Sequence, residues 1–236
     1  FNHVILCVPT QEDTIWLECT DQKSSFGYLG PFTDNRHSLI MTDEGAKLVK
    51  TKHYKQDENI VTRNAIITIS ENGNASATIN TEYRGIKFED ISPAFSMNFE
   101  EQKKWYSRRA LLSDFKINSY SVLDHKKSIY PHATEETDLG ITNFAKKTGN
   151  RLFISLNSFS KFDFNAKKER TNDIFIPRAH IEKDSIVFIL PKDYQKEHVP
   201  EPTSIENQFG EYRTLIETHD NIIIYVRFFK LNNGTF

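Results

Sequence analysis

Apolar and polar residues alternate with a period of two through much of this chain, the mark of strands with one buried face. The clearest case is residues 75–83, where Ala75, Ala77, Ile79, Thr81 and Tyr83 alternate with Ser76, Thr78, Asn80 and Glu82. A similar segment, 64–70, precedes it, with Glu71-Asn72-Gly73-Asn74 between the two. Asn-Gly in such a setting predicts a hairpin, because both residues tolerate the positive φ that a tight turn between twisted strands demands. The short apolar runs 39–41 and 48–49, flanking Thr42-Asp43-Glu44-Gly45, predict a second hairpin. Further strands are predicted at 115–123, 151–157, 174–177, 185–190, 212–218 and 222–231, the last two joined tightly by His219-Asp220-Asn221. In the last, Ile222, Ile224, Val226 and Phe228 share one face and Ile223, Tyr225 and Phe229 the other. That pattern predicts a central strand covered on both sides.

The period changes only at residues 98–112. Asn98 followed three residues later by Glu101 is a capping box, the Glu100 and Glu101 carboxylates lie in the first turn, and Arg108 and Arg109 lie in the last. One helix is predicted there, packed on a sheet or at a boundary between domains. About eight strands and one principal helix predict a mainly β protein, an antiparallel β-sandwich beginning near Ile60. Residues 26–32, with two Gly and a Pro among aromatics, predict an irregular loop. Residues 51–59, TKHYKQDEN, are almost wholly polar, and a domain boundary is placed there, dividing the chain into 1–55 and 56–236.

Composition supports the strands. Apolar residues make up 38% of the 236, but 12% are aromatic, with 18 Phe and 9 Tyr, and bulky rings favour the pleated surface over the helix. The net charge of −2 excludes an electrostatic case for nucleic acid or an anionic membrane as partner. No run approaches the ~18 apolar residues of a spanning helix. The chain begins with Phe1 inside an apparent strand, so a fragment of a longer protein is expected. Cys7 and Cys19 are the two cysteines, and two buried thiols are expected rather than a disulfide.

Candidate chemistry concentrates in residues 1–20, FNHVILCVPTQEDTIWLECT. If its two β-like runs pair with residue numbers summing to 21, His3 lies opposite Glu18, Ile5 opposite Trp16 and Cys7 opposite Thr14. Opposed side chains share a face with Cβ atoms about 5 Å apart, close enough for a carboxylate to hold an imidazole in one tautomer. In that register Cys7 and Cys19 fall on opposite faces. Other constellations are weaker. His125 and His132, separated by six residues in a polar stretch, lack metal-site spacing. Lys103, Lys104, Arg108 and Arg109 adjoin acids and predict a solvated helix face. Phe159, Phe162 and Phe164 predict core rather than a ligand platform. No cofactor is expected.

The sequence around the hairpin resembles the distal half of a transglutaminase-like core, the papain-related fold with a Cys–His–Asp triad. His3 matches the family's catalytic His, and Trp16-Leu17-Glu18-Cys19-Thr20 matches its Trp-hydrophobic-Asp-Pro-Thr signature, with Glu18 at the Asp position and Cys19 at the Pro position. The resemblance extends through Phe26-Gly27-Tyr28-Leu29-Gly30, Asp43-Glu44-Gly45-Ala46-Lys47-Leu48, Leu190-Pro191, Asn207-Gln208-Phe209-Gly210-Glu211-Tyr212 and Tyr225-Val226-Arg227. These segments are similar to bacterial cell-envelope proteins that carry such a core beside uncharacterised β domains. It implies that residues 1–55 end a transglutaminase-like core with His3 and Glu18 catalytic, the nucleophilic Cys upstream and this chain inactive by itself. It also implies a protein or peptide substrate and a periplasmic or cell-envelope location. The alternative expectation is a non-catalytic binding or scaffolding β domain.

Overall fold

Residues 3–11, 14–20, 26–125, 130–161 and 171–236 are described by a computed structural model, and they form a mainly β protein with one principal helix. Two small hairpins come first: β1 (Leu6–Pro9) with β2 (Thr14–Leu17), and β3 (His37–Thr42) with β4 (Gly45–Lys50). The second turns at Thr42–Gly45 as its sequence predicts. The aromatic loop between the hairpins is irregular yet anchored. Tyr28 and Leu29 are buried, the Tyr28 hydroxyl donates to Glu89 (3.0 Å) and the Leu29 N–H donates to the Tyr54 hydroxyl (2.8 Å). Nearby, Arg178 pairs with buried Asp34 at 2.5 Å.

The polar run at the proposed boundary is a fastened joint. Thr51, Tyr54 and Asn59 are buried within it. Asn59 accepts from the Ile86 N–H (3.0 Å) and donates to the Ala179 carbonyl (3.1 Å), so polar side chains here satisfy backbone groups from two other segments.

β5 (Ile60–Ile69) and β6 (Ala75–Arg84) form the Asn-Gly hairpin. Gly73 has φ +87°, and a Cβ there would lie 2.3 Å from the Ala145 carbonyl oxygen, so only glycine fits. α1 (Phe99–Arg109) starts at Asn98 with the reciprocal capping box in place. It packs on the sheet, with the Tyr106 ring edge-on to Tyr120 (5.4 Å) and Phe115 (6.0 Å). β7 (Phe115–Asp124) follows, then β8 (His132–Ile141). β8 is absent from the elements predicted by periodicity. Its buried positions are Ala133, Glu135, Thr137, Leu139 and Ile141, and a Glu and a Thr on the inward face disguise the alternation.

β9 (Lys146–Thr148) and β10 (Arg151–Phe153) make a short hairpin, so the strand predicted at 151–157 is truncated. β11 (Phe175–Ile176) and β12 (His180–Ile189) come next; β12 starts five residues before its predicted position because His180, Glu182 and Asp184 precede its apolar half. The chain ends with β13 (Thr203–Asn207), β14 (Gly210–His219), β15 (Ile222–Leu231) and β16 (Gly234–Thr235), the last paired with β11.

Eight of these strands form one sheet in the order β13-β14-β15-β12-β5-β6-β8-β7. Its two four-stranded antiparallel halves meet at a single parallel pair, β5 with β12. One face carries the core, including Ile67, Ile79, Leu139, Ile186, Phe188 and Tyr225. α1 and segments bearing Phe144, Leu152, Ile154, Leu156 and Phe159 pack over it, an arrangement consistent with a β-sandwich. Each large aliphatic or aromatic side chain buried there contributes about 1.5–3 kcal/mol. β15 is internal, as predicted, but its faces are unequal. Ile223 and Tyr225 are buried while Ile222, Ile224 and Phe228 are partly exposed and Val226 is exposed. Phe162 and Phe164 lie outside the described residues. Among the described residues no helix is long and apolar enough to cross a membrane.

Candidate functional site

The first hairpin brings His3 and Glu18 together in a different register from the one their numbers suggest. Observed partners sum to 23: Leu6 with Leu17, Cys7 with Trp16, Val8 with Ile15 and Pro9 with Thr14. The pairing is shifted by two residues from the predicted one. A slip of two leaves every side chain on its original face, whereas a slip of one would have separated the pair. Continued past Leu6, this register sets His3 against Thr20, and Glu18 becomes its diagonal neighbour. Diagonal positions lie about 7–8 Å apart, a gap that a long side chain spans. The extra methylene of Glu over Asp therefore suits this geometry.

His3 Nε2 lies 2.7 Å from Glu18 Oε2. The other oxygen, Oε1, accepts from the Thr20 N–H (3.0 Å) and the Thr20 hydroxyl (2.7 Å). The His3 ring meets Phe32 edge-on at 5.4 Å, and buried Trp16 anchors β2, which Glu18 directly follows. The side chains of His3 and Glu18 are 21% and 11% exposed, so the pair sits near the surface but is shielded from bulk water. Burial works against ionisation of Glu18. The hydrogen bonds from Thr20 and His3 outweigh it and hold the carboxyl below its usual range. An ionised carboxylate can only accept, so Nε2 carries the proton and Nδ1 is the nitrogen left for a reacting group.

Neither cysteine is placed to be that group's partner. Both thiols are free, as expected, but they are not buried: Cys7 is half-buried and Cys19 exposed. Cys7 is four residues along the strand from His3, about 13 Å at the rise of a β-strand. The Cys19 thiol turns to the Leu17 carbonyl at 3.6 Å.

A second concentration of charge escaped the sequence reading. Five side chains form one row across the buried face: Glu135 on β8, Thr81 on β6, Arg63 on β5, Asp184 on β12 and Arg227 on β15, each opposite the next. Asp184 accepts from Arg63 (2.7 Å), Arg227 (2.7 Å) and the Ser160 hydroxyl (2.8 Å). Arg227 also reaches Glu182 at 3.0 Å. Glu135 accepts from the Tyr83 and Tyr120 hydroxyls, both at 2.7 Å, and from Arg109 of α1, whose guanidinium lies 3.6 Å from the Trp105 ring centre. Arg109 therefore leaves the solvated face predicted for it and turns inward.

Burial, and then the Glu135 charge, push the Tyr83 and Tyr120 phenols above their usual range. Burial opposes ionisation of Glu182 too, but the His180 hydrogen bond and the Arg227 charge bring its carboxyl down to about 2. Arg63, Arg109 and Arg227 balance Glu135, Asp184 and Glu182, so the row is neutral as a whole. It separates an apolar cluster of Val61, Tyr83, Phe88, Ile91, Ala94 and Ala133 from the larger core. Its carboxylates are spent on neighbours, which fits a strut better than a reaction centre. A Glu or Asp alternating with apolar residues was the available signal for this row, but in one sequence it reads as an exposed position.

His125 and His132 do meet across the β7–β8 hairpin, with rings stacked at 4.2 Å. His132 turns to Glu82 (2.6 Å) and His125 to Thr134 (3.2 Å), so their nitrogens serve separate partners. Burial leads the causes that lower the His132 pKa. No cluster of three or more metal-ligating side chains is found among the described residues. An apolar cleft of about 530 Å³ opens beside the edge strand β13, lined by Phe175, Ile205, Phe209, Tyr212, Phe229 and Leu231 among others.

Residues 150–236 match a family described as a domain of unknown function with solved-structure structure, DUF3858. The match takes in β12 to β15, the half of the large sheet that lies beyond the parallel seam, together with the apolar cleft. No curated protein and no solved structure matches the chain.

Proposed function

We propose that His3 and Glu18 are the proton shuttle and its orienting acid in a transglutaminase-like cysteine acyl-transfer site. The thiol in this reading is supplied from outside these 236 residues. The observation that carries it is the 2.7 Å contact between His3 Nε2 and Glu18 Oε2, on a carboxylate whose other oxygen is already held by Thr20. The resemblance of His3 and of residues 16–20 to that family supplies the rest.

His3 Nδ1 takes the thiol proton, and the thiolate attacks an amide carbonyl carbon of a protein or peptide. The carbon–nitrogen bond breaks, the imidazolium returns the proton to the departing amine, and a thioester remains. Water or a second amine then takes the acyl group. Glu18 stabilises the imidazolium and fixes its tautomer without itself being protonated. Residues 1–55 belong to the catalytic core in this reading, 56–236 form a β domain that positions it, and the setting is the bacterial cell envelope. The chain by itself is inactive.

The test is amide cleavage or amine transfer by the polypeptide in which this chain occurs. Activity lost in His3→Ala, with the thermal midpoint kept, supports the reading; turnover retained in that variant refutes it. A second reading, a non-catalytic binding domain, is favoured by the apolar cleft in the residues that match the family. It predicts no turnover in any form and no effect of His3→Ala on ligand binding.

A further inference from the structure

We infer that Thr20 is a positioning residue for His3, acting through Glu18. A Glu has one more rotatable bond than an Asp, so an orienting Glu needs a second anchor to present one oxygen to the imidazole. Thr20 supplies it at both of its donors, the backbone N–H at 3.0 Å and the hydroxyl at 2.7 Å, and both go to the same oxygen, Oε1. With Oε1 fixed, Oε2 is the oxygen that faces His3 Nε2 at 2.7 Å. Thr20 lies two residues beyond Glu18, just past the end of β2, so backbone and hydroxyl converge on the carboxylate from one residue. The Phe32 ring closes the opposite flank of the imidazole. The arrangement keeps His3 in a single tautomer, with the proton on Nε2.

The catalytic meaning of this lock rests on the acyl-transfer reading, but the lock itself does not, and it is tested on this chain without any substrate. Long-range 1H–15N NMR of the His3 ring reports the tautomer, and 13C NMR of the Glu18 carboxyl reports its titration. The wild-type chain is expected to show the Nε2–H tautomer alone. Thr20→Val, which keeps the shape and the backbone donor but removes the hydroxyl, is expected to give a mixture of tautomers and a Glu18 carboxyl that titrates at higher pH. Thr20→Ser is expected to restore both.

A single tautomer with an unmoved Glu18 titration in Thr20→Val overturns the inference, and so does failure of Thr20→Ser to restore them. Loss of the Phe32 ring-current shift on His3 in Thr20→Val also overturns it, because Thr20 would then be a strut of the hairpin. The tautomer result holds whether or not His3→Ala proves silent in the activity assay, so the two claims fail separately.

Discussion

Glu18 and Asp184 are both carboxylates hydrogen-bonded to basic side chains, and they do different work. Glu18 sits beside a two-stranded hairpin near the surface and gives one oxygen to His3 and the other to Thr20. Asp184 lies at the parallel seam of the large sheet, is 2% exposed, and receives two arginines and a serine. The first arrangement orients an imidazole. The second cancels charge where water is excluded and ties β5, β12 and β15 into one sheet. A buried pair contributes little relative to well-packed apolar residues, yet removing one partner strands the other. The two sites should therefore respond in opposite ways to mutation.

The largest effect on stability is expected at the seam. Asp184→Ala takes from Arg227, itself 3% exposed, one of its two carboxylate partners and from Arg63 its ion pair, and should cost about 3–5 kcal/mol in urea denaturation. A loss below 1 kcal/mol would make the row a decoration rather than a strut. Next comes its pH dependence. Glu182 has its folded pKa held near 2, below the ordinary 4.5, so its contribution is complete above about pH 4.5 and fades as pH falls towards 2. That contribution is about 3 kcal/mol from the size of the shift. Glu182→Gln should flatten this part of the acid-denaturation curve, and an unchanged curve would rule the contribution out.

A smaller effect is expected at the start of α1, which brings Arg109 to Glu135. Asn98→Ala removes the capping bond to the Glu101 N–H and should cost about 1 kcal/mol in thermal or urea unfolding. Smallest of all in stability is His3→Ala, for which a loss below about 1 kcal/mol is expected, because a pair near the surface contributes little. A large loss of stability there would move His3 from the chemical side of the comparison to the structural side.

Much of this fold is legible in the order of the residues. The period-two runs of β5 and β6, the Asn72-Gly73 turn and the Asn98–Glu101 capping box are local matters, settled within a few residues by backbone stereochemistry and by which side chains avoid water. The same locality made His3 and Glu18 visible as a pair. A strand has only two faces, and the two-residue error in register moved neither side chain across. The register of that hairpin was not legible, and with it went the second anchor at Thr20.

What only the tertiary structure decided is the buried row and everything attached to it. Glu135, Arg63, Asp184 and Arg227 each break the apolar pattern of their own strand, and each is tolerable in the core because another element supplies the opposite charge: the neighbouring strand for Arg63, Asp184 and Arg227, and α1 for Glu135. That partner comes from more than a hundred positions away across β5 and β12, so no window along the chain contains the reason. For the same cause β8 was hidden and β12 appeared short. Local alternation, turn chemistry and the His3–Glu18 face were determined by the sequence alone. Long-range pairing decided which polar residues could be inside, because burial of a charge depends on the neighbour that neutralises it.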